Sequence, residues 1–167
     1  MYFGIIGSVL IILILFYFYI YLLKVKIEIL EEKIIVLFNE RTNGIPSLYE
    51  TTKNSFVKHH QVFNKILQLK KYHFSETNWN QKLPEIIGTQ ELIHNEINFI
   101  FKVSNKHPKL MKSGKFLYMR DIFLNKSSEL GKNIELYKQI IAKFNFLLKL
   151  KNISILGLII PMRKKYL

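Results

Sequence analysis

The chain has 167 residues, with 25 basic and 12 acidic side chains and a formal net charge of +13. That length is typical of a single domain, and an apolar content of 49% excludes an intrinsically disordered chain. The absence of cysteine excludes a disulfide framework, thiolate metal sites, a catalytic thiol and a lipoprotein anchor. Residues 1–23 carry no charged side chain, whereas residues 102–167 carry 15 basic and 3 acidic ones.

The first 23 residues form an apolar segment without a polar face. At about 1.5 Å per residue, a helix of this length spans the roughly 30 Å hydrocarbon core of a bilayer. A cleaved signal peptide would begin with basic residues and end in a small-residue cleavage site, and nothing basic precedes this segment. A buried core helix of a soluble protein would show a polar side. The segment therefore predicts a retained transmembrane anchor over residues 1–23.

Lysines follow the anchor directly, at Lys24, Lys26 and Lys33. Because basic residues are retained on the cytoplasmic side, this pattern predicts a single-pass membrane protein with a fixed orientation. The N-terminus would lie outside, and the rest of the chain would lie in the cytoplasm.

Apolar residues at steps of three and four predict helices over the remaining chain. We call each such row of apolar residues on one helix face a seam. The first helix continues the anchor to about Glu40, and Asn43-Gly44 ends it. Its seam consists of Ile27, Leu30, Ile34 and Leu37. A second helix begins at Ile45, with Pro46 in its first turn, and runs to about residues 72–74. Residues 75–82 are polar and are predicted to form a loop.

A third helix is predicted from near Pro84 to just before His107-Pro108, because a residue that precedes proline disfavours helical backbone. The last helix opens at Ser113-Gly114. Its seam is interrupted only at Ser127, and its members are Phe116, Met119, Phe123, Leu130, Ile134, Tyr137, Ile141, Phe144 and Leu148. The predicted fold is all-α: an N-terminal transmembrane helix that continues into an antiparallel four-helix bundle of long helices over residues 24–152. An apolar and basic tail follows at residues 153–167.

Three stretches of this bundle share the order and spacing of a known pattern. The first contains Arg41, Ile45, Pro46, Leu48, Glu50 and Lys53; the second contains Pro108, Leu110 and Phe116; the third contains Tyr137, Phe144 and Asn145. Together they resemble the LemA family of bacterial membrane proteins. The resemblance implies a membrane helix that leads into a bundle of long helices, and it implies no established enzymatic reaction.

The chain also departs from that family's pattern. Where the family has an Ala-Trp pair, this chain has Leu30-Glu31, and where the family has the asparagine of its first Tyr-Asn pair, this chain has Lys138. Ile134 replaces an arginine of the family, and Ser127 replaces an acidic residue. The chain is therefore identified as a divergent member of the family. Because it lacks that arginine and that acidic residue, any polar network in its bundle core would differ from the family's.

Two histidines are candidates for chemistry. Glu91-x-x-His94 places a carboxylate and an imidazole on one helix face, as in di-metal helical bundles, but such sites need a second motif of this kind and further carboxylates. The pair is therefore interpreted as part of a solvated face, with a metal-binding bundle enzyme as a weaker alternative. His59 lies on the second seam, which is typical of a hydrogen-bonded core histidine, and a proton-linked switch remains open. No nucleophile elbow, phosphate-binding loop or zincin motif is present, so neither enzymatic activity nor a cofactor is expected.

The basic residues of the last third suggest an anionic partner. They comprise Lys102, Lys106, Lys109, Lys112 and Lys115, the lysines of the last helix, and Arg163, Lys164 and Lys165 in the tail. Because the aromatic residues lie on core seams and not among these lysines, the pattern argues against nucleic acid. Anionic lipid of the bilayer is the favoured partner, and an ordinary solvated basic surface remains open. An antiparallel bundle would bring Trp79 and the basic tail to the membrane surface.

The predicted function is a membrane-anchored, non-enzymatic scaffold or interaction module on the cytoplasmic face of the inner membrane. A self-assembling protein that binds or remodels lipid is the main alternative. The expected partners are the lipid bilayer and either a second copy of the chain or another membrane protein.

Overall fold

A computed structural model of the protein describes residues 2–53, 64 and 79–153, with side chains for most of them. Within these ranges the chain is almost entirely helical and has no strand, which confirms the all-α prediction. Five helices are described: α1 at Tyr2–Asn43, α2 at Ile45–Thr52, α3 at Trp79–Ser104, α4 at Pro108–Met111 and α5 at Gly114–Ile153.

The apolar N-terminal segment and the first seam form one unbroken helix of 42 residues, as predicted. Helix α1 ends at Asn43, and α2 begins two residues later with proline near its start. Gly44 between them keeps right-handed helical backbone, at φ −76° and ψ −15°, and its amide donates to the Arg41 carbonyl at 3.2 Å. The predicted second helix is therefore confirmed from Ile45 to Thr52. Its continuation to residue 74, which includes His59, lies outside the described residues.

Helix α3 begins at Trp79, so the predicted loop over residues 75–82 is wrong for residues 79–82. Residues 75–78 lie outside the described ranges. Pro84 stands inside the helix and not at its first turn. Proline removes the hydrogen bond to the carbonyl four residues earlier, and its ring crowds that carbonyl. Here the carbonyl belongs to Asn80, the second residue of α3, so the disturbance falls at the start of the helix.

The connection between α3 and α5 follows the prediction. His107 precedes a proline and has extended backbone, at φ −110° and ψ 97°, so α3 cannot continue through it. The single turn of α4 comes next, and α5 then begins at Gly114 as predicted. The Ser113 hydroxyl accepts a hydrogen bond from the Phe116 amide at 3.4 Å, as a residue that caps a helix N-terminus does.

The chain divides into two compact units, one of residues 1–32 with 135–167 and the other of residues 33–134. In the first unit the early part of α1 packs antiparallel to the end of α5. In the second unit the end of α1 and the early part of α5 pack with α2, α3 and α4. The predicted seams supply both cores, and their buried members include Ile27, Leu30, Tyr137, Phe144 and Leu148 in the first unit and Ile34, Leu37, Leu48, Ile97, Phe116, Phe123 and Leu130 in the second.

Candidate functional site

A buried arginine lies at the centre of the second unit. Arg41 is only 2% exposed, and its Nη1 donates to the Ser127 hydroxyl at 3.4 Å, which is long for a hydrogen bond. Among the residues that the structure describes, Nε and Nη2 of Arg41 have no acceptor. Burial lowers the pKa of Arg41 to about 10, because removal from water disfavours the charged guanidinium. Ser127, which interrupts the apolar seam of α5, is therefore the residue of α5 that contacts the Arg41 guanidinium.

A small cavity of about 20 Å³ lies beside the guanidinium, with room for about one water molecule. Its lining comprises Glu40, Arg41, Gly44, Ile122, Phe123 and Lys126. Lys126 and Glu40 form an ion pair across this cavity's rim, joining α5 to α1. The charge of the pair is balanced, so Arg41 contributes a net positive charge to this part of the unit.

Helix α3 faces the same region through His94. Partial burial lowers the pKa of His94, and the nearby positive charge of Arg41 lowers it further. The Asn98 amide nitrogen lies 2.8 Å from His94 Nε2, which accepts its hydrogen bond when the ring is neutral. The uncharged form of His94 is therefore favoured, because protonation would place a second positive charge near Arg41.

We expect Ser127→Asp to stabilise the second unit, because a carboxylate at this position would face the buried guanidinium. An ion pair with a carboxylate in place of a long hydrogen bond to a hydroxyl should raise the free energy of unfolding by about 1 kcal/mol. Ser128→Asp is the matched control, since Ser128 is the next residue of α5 and is exposed. Urea unfolding followed by circular dichroism measures both variants, and equal effects at the two positions would contradict a specific pairing with Arg41.

A second buried polar pair lies in the first unit. The Tyr137 hydroxyl donates to Glu31 Oε1 at 3.0 Å, and both side chains are buried. Burial raises the pKa of Tyr137, and the charge and hydrogen bond of Glu31 raise it further, because all three disfavour a phenolate. The pair thus joins α1 to α5 across 106 positions of the chain.

The burial of Glu31 and of Arg41, which the sequence marked only as part of the LemA-like pattern, was not predicted, although spacing marks both residues. Glu31 follows Ile27 by four positions and precedes Ile34 by three, so it lies on the first seam. Arg41 lies four positions after Leu37 and continues that seam. A charged residue at a seam position is therefore the signal that was available.

The residues of the LemA-like pattern separate by polarity. The buried members are Arg41, Ile45, Leu48, Leu110, Phe116, Tyr137 and Phe144. Pro46, Glu50 and Pro108 are exposed, and Lys53 and Asn145 are half-buried. Lys53 pairs with Glu50 at the end of α2. Most of the pattern therefore contributes to packing, and the structure does not bring it together as one surface.

Glu91 and His94 do not form part of a cluster of metal-binding side chains. Glu91 is exposed on α3, whereas His94 is bonded to Asn98. Within the described ranges, no group of three or more histidine, aspartate or glutamate side chains is arranged to hold a metal ion.

The early part of α1 exposes most of its apolar side chains from Val9 to Tyr19, whereas Leu13, Phe16 and Tyr17 are half-buried. An 18-residue stretch here has a mean hydropathy of 2.4, and only 6% of it is buried. Among the described residues, this is the one helix long and apolar enough to cross a membrane. A signal sequence near an N-terminus passes the same test, so this helix is compatible with a membrane span or with a signal sequence.

The remaining predicted membrane-surface residues are less fully described. Trp79 opens α3, but its side chain lies outside the described part. The tail residues Arg163, Lys164 and Lys165 lie outside the described ranges altogether. The five-lysine cluster is fully described, and all five side chains are exposed: Lys102, Lys106, Lys109, Lys112 and Lys115.

Comparisons with protein-family models, curated proteins and solved structures found no match. Function must therefore be argued from the arrangement of this chain's own residues.

Proposed function

We propose that the protein is a LemA-like, membrane-anchored and non-enzymatic scaffold or interaction module on the cytoplasmic face of the inner membrane. The observation that carries this proposal is the continuity of α1. Most apolar side chains of its first half are exposed, and its second half buries a regular seam. At about 1.5 Å per residue, α1 is roughly twice as long as a hydrocarbon core is thick, so one helix serves as both anchor and core element.

The pairing of α1 with α5 supports an antiparallel four-helix bundle. In the unit of residues 33–134, two ion pairs join these helices, Lys33–Glu129 and Glu40–Lys126. The residue number rises along α1 and falls along α5 between the two pairs, as it does in antiparallel helices. Helix α3 packs on α5 in the same unit, where the Phe101 ring meets the Phe116 and Phe123 rings edge to face. The predicted second helix, which lies outside the described residues after Lys53, is the fourth member of the proposed bundle.

The positions of the polar groups support a scaffold better than an enzyme. Arg41, Glu31 and Tyr137 are buried between helices, where they contact side chains of α1 or α5. Their hydrogen bonds therefore fix the relative positions of α1 and α5 along their axes. The exposed lysines and the exposed apolar faces are the surfaces that remain for partners.

The orientation of the chain provides the first test of this proposal. Because the natural chain has no cysteine, Tyr118→Cys introduces a single thiol at a side chain that is 69% exposed. In intact spheroplasts, a membrane-impermeant maleimide should leave this thiol unlabelled, and permeabilisation should make it reactive. Tyr2→Cys is the control, and we expect it to react in intact spheroplasts.

Two results would contradict the proposal. One is labelling of the Tyr118→Cys variant in intact spheroplasts, which would place the bundle outside the cytoplasm. The other is an intact mass of the mature protein that lacks residues 1–23, which would identify the segment as a cleaved signal.

A self-assembling lipid-binding protein is the second candidate, favoured by the five exposed lysines of the cluster. Each basic side chain near an anionic leaflet contributes roughly 1 kcal/mol of attraction. Crosslinking in native membranes distinguishes the candidates, since self-assembly predicts ladders of the same chain and a scaffold predicts adducts with a different protein.

A further inference from the structure

The end of α5 runs beside the most apolar part of α1. Lys143 Nζ lies 5.3 Å from the centre of the Tyr19 ring, and Tyr137 is bonded to Glu31. From the first of these contacts to the second, the residue number rises along α5, from 137 to 143, and falls along α1, from 31 to 19. The two helices are therefore antiparallel here. Helix α5 continues for ten residues after Lys143, to Ile153. At about 1.5 Å per residue, it advances roughly 15 Å beyond Lys143 toward the start of α1.

The burial of α1 side chains shows that this contact extends into the apolar segment. Ile20 and Leu23 are fully or nearly fully buried. Earlier in the helix, Leu13, Phe16 and Tyr17 are half-buried, while the residues around them are exposed. Their spacing of three and four continues the seam along one side of α1. On α5, Phe144 and Leu148 are buried after Lys143 and provide an apolar surface of matching spacing.

The opposite face of α5 changes from polar to apolar along the same course. Four exposed residues at steps of four, three and four share this face, in the order Gln139, Lys143, Phe146 and Leu150. Phe146 is 60% exposed, although an aromatic side chain is among the most favourable to bury. The change from polar to apolar begins just after the level of Tyr19.

We propose that the last ten described residues of α5 descend into the cytoplasmic leaflet beside α1, where Phe146 and Leu150 contact lipid acyl chains. This inference rests on the proposed function, because it requires residues 1–23 to cross the bilayer. The Tyr19–Lys143 contact then lies at the level of the lipid phosphates, where tyrosine rings and lysine ammonium groups are both favoured. The lipid surface is the partner, recognised through acyl chains by Phe146 and Leu150 and through anionic headgroups by Lys143.

Lys149 is compatible with this placement. It lies less than two turns beyond Lys143 and is exposed. Its long apolar stem lets the ammonium group reach back to the headgroups while the stem lies among acyl chains. The membrane attachment would therefore consist of α1 together with the end of α5, and not of α1 alone.

Depth measurements on single-cysteine variants of the full chain test this arrangement. The variants are Gln139→Cys, Phe146→Cys and Leu150→Cys on the described face of α5, with Leu15→Cys in the apolar segment of α1 and Tyr118→Cys as an exposed reference. Each thiol is labelled with a nitrobenzoxadiazole fluorophore, and the protein is reconstituted in phosphatidylcholine–phosphatidylglycerol vesicles. Quenching by iodide, present on both sides, reports exposure to water. Quenching by lipids with a nitroxide on the acyl chain reports depth.

We expect depth to increase in the order 139, 146 and 150, with labels at 146 and 150 quenched by the nitroxide lipids and protected from iodide at least fivefold relative to Tyr118→Cys. Equal depth at 146 and 150 at the membrane surface would overturn the descent of α5 and indicate a helix that lies flat. Iodide access at 146 and 150 together with protection of the Leu15→Cys label would overturn this inference and leave the anchor intact. Iodide access at Leu15→Cys would overturn the anchor itself. Circular dichroism of every variant verifies that the helical content is unchanged.

Discussion

Replacing Phe123 with alanine is expected to lower the free energy of unfolding by about 3–5 kcal/mol. The side chain is only 3% exposed, and its ring meets the Phe101 ring edge to face, with centroids 6.4 Å apart. It also covers Gly44 at the connection between α1 and α2. Removal of the ring would therefore leave a cavity where three helices meet. Urea unfolding of the full chain in mild detergent, followed by circular dichroism, measures the loss.

Leu124→Ala is the matched control for this experiment. Leu124 is the next residue of the same helix and is exposed. Its truncation removes apolar atoms that already contact solvent, so the expected change is within about 0.5 kcal/mol. A loss at Phe123 no greater than the loss at Leu124 would show that the α5 seam does not pack as described.

Truncation of Tyr137 in two steps should separate a hydrogen bond from a packed ring. Tyr137→Phe removes only the hydroxyl that donates to the buried Glu31 carboxylate, and we expect a loss of about 1–3 kcal/mol. Tyr137→Ala also removes a ring that is 1% exposed, and we expect a loss of about 3–5 kcal/mol or more. The same unfolding measurement applies, with Tyr118→Phe and Tyr118→Ala as controls at an exposed tyrosine of α5.

The pH dependence of these variants gives an independent readout. The pKa of Tyr137 is raised in the folded protein, so above pH 10 the unfolded tyrosine loses its proton while the folded one retains it. The unfolded state then binds fewer protons, and stability falls as the pH rises. Tyr137→Phe should remove this part of the alkaline loss. An identical alkaline profile in the wild-type protein and the Tyr137→Phe variant would contradict a buried, proton-retaining tyrosine.

The helices and their buried faces were largely predictable from spacing. Ile27, Leu30, Ile34 and Leu37 are all buried, because steps of three and four place side chains on one face whatever the partner helix is. The end of α3 followed from the local backbone rule at His107-Pro108, and the end of α1 was placed correctly at Asn43-Gly44 although Gly44 keeps helical backbone. The start of α3 was placed too late, because Pro84 was assigned to the first turn whereas the helix begins five residues before it.

The buried charges could not be assigned partners from the sequence. Glu31 pairs with Tyr137, and Arg41 lies against Ser127, and each contact joins residues that are 86 or 106 positions apart. Such pairs depend on the relative shift of two helices along their axes, and a hydrophobic repeat does not determine that shift. The sequence showed that Ser127 interrupts its seam, but it did not show that Arg41 lies opposite this serine.

The contact between Gly44 and Phe123 links two positions that are 79 residues apart. The backbone of Gly44 is ordinary helix, so any amino acid would fit its torsion angles, and the demand for glycine comes from space alone. A methyl group there would lie 3.0 Å from the Phe123 ring. The ring would have to shift by a few tenths of an ångström to admit this methyl group, and a larger side chain would crowd it further. Over evolutionary time the two sites should change jointly, with a larger residue at 44 accompanied by a smaller one at 123, so their covariation would record this contact in the sequences of relatives.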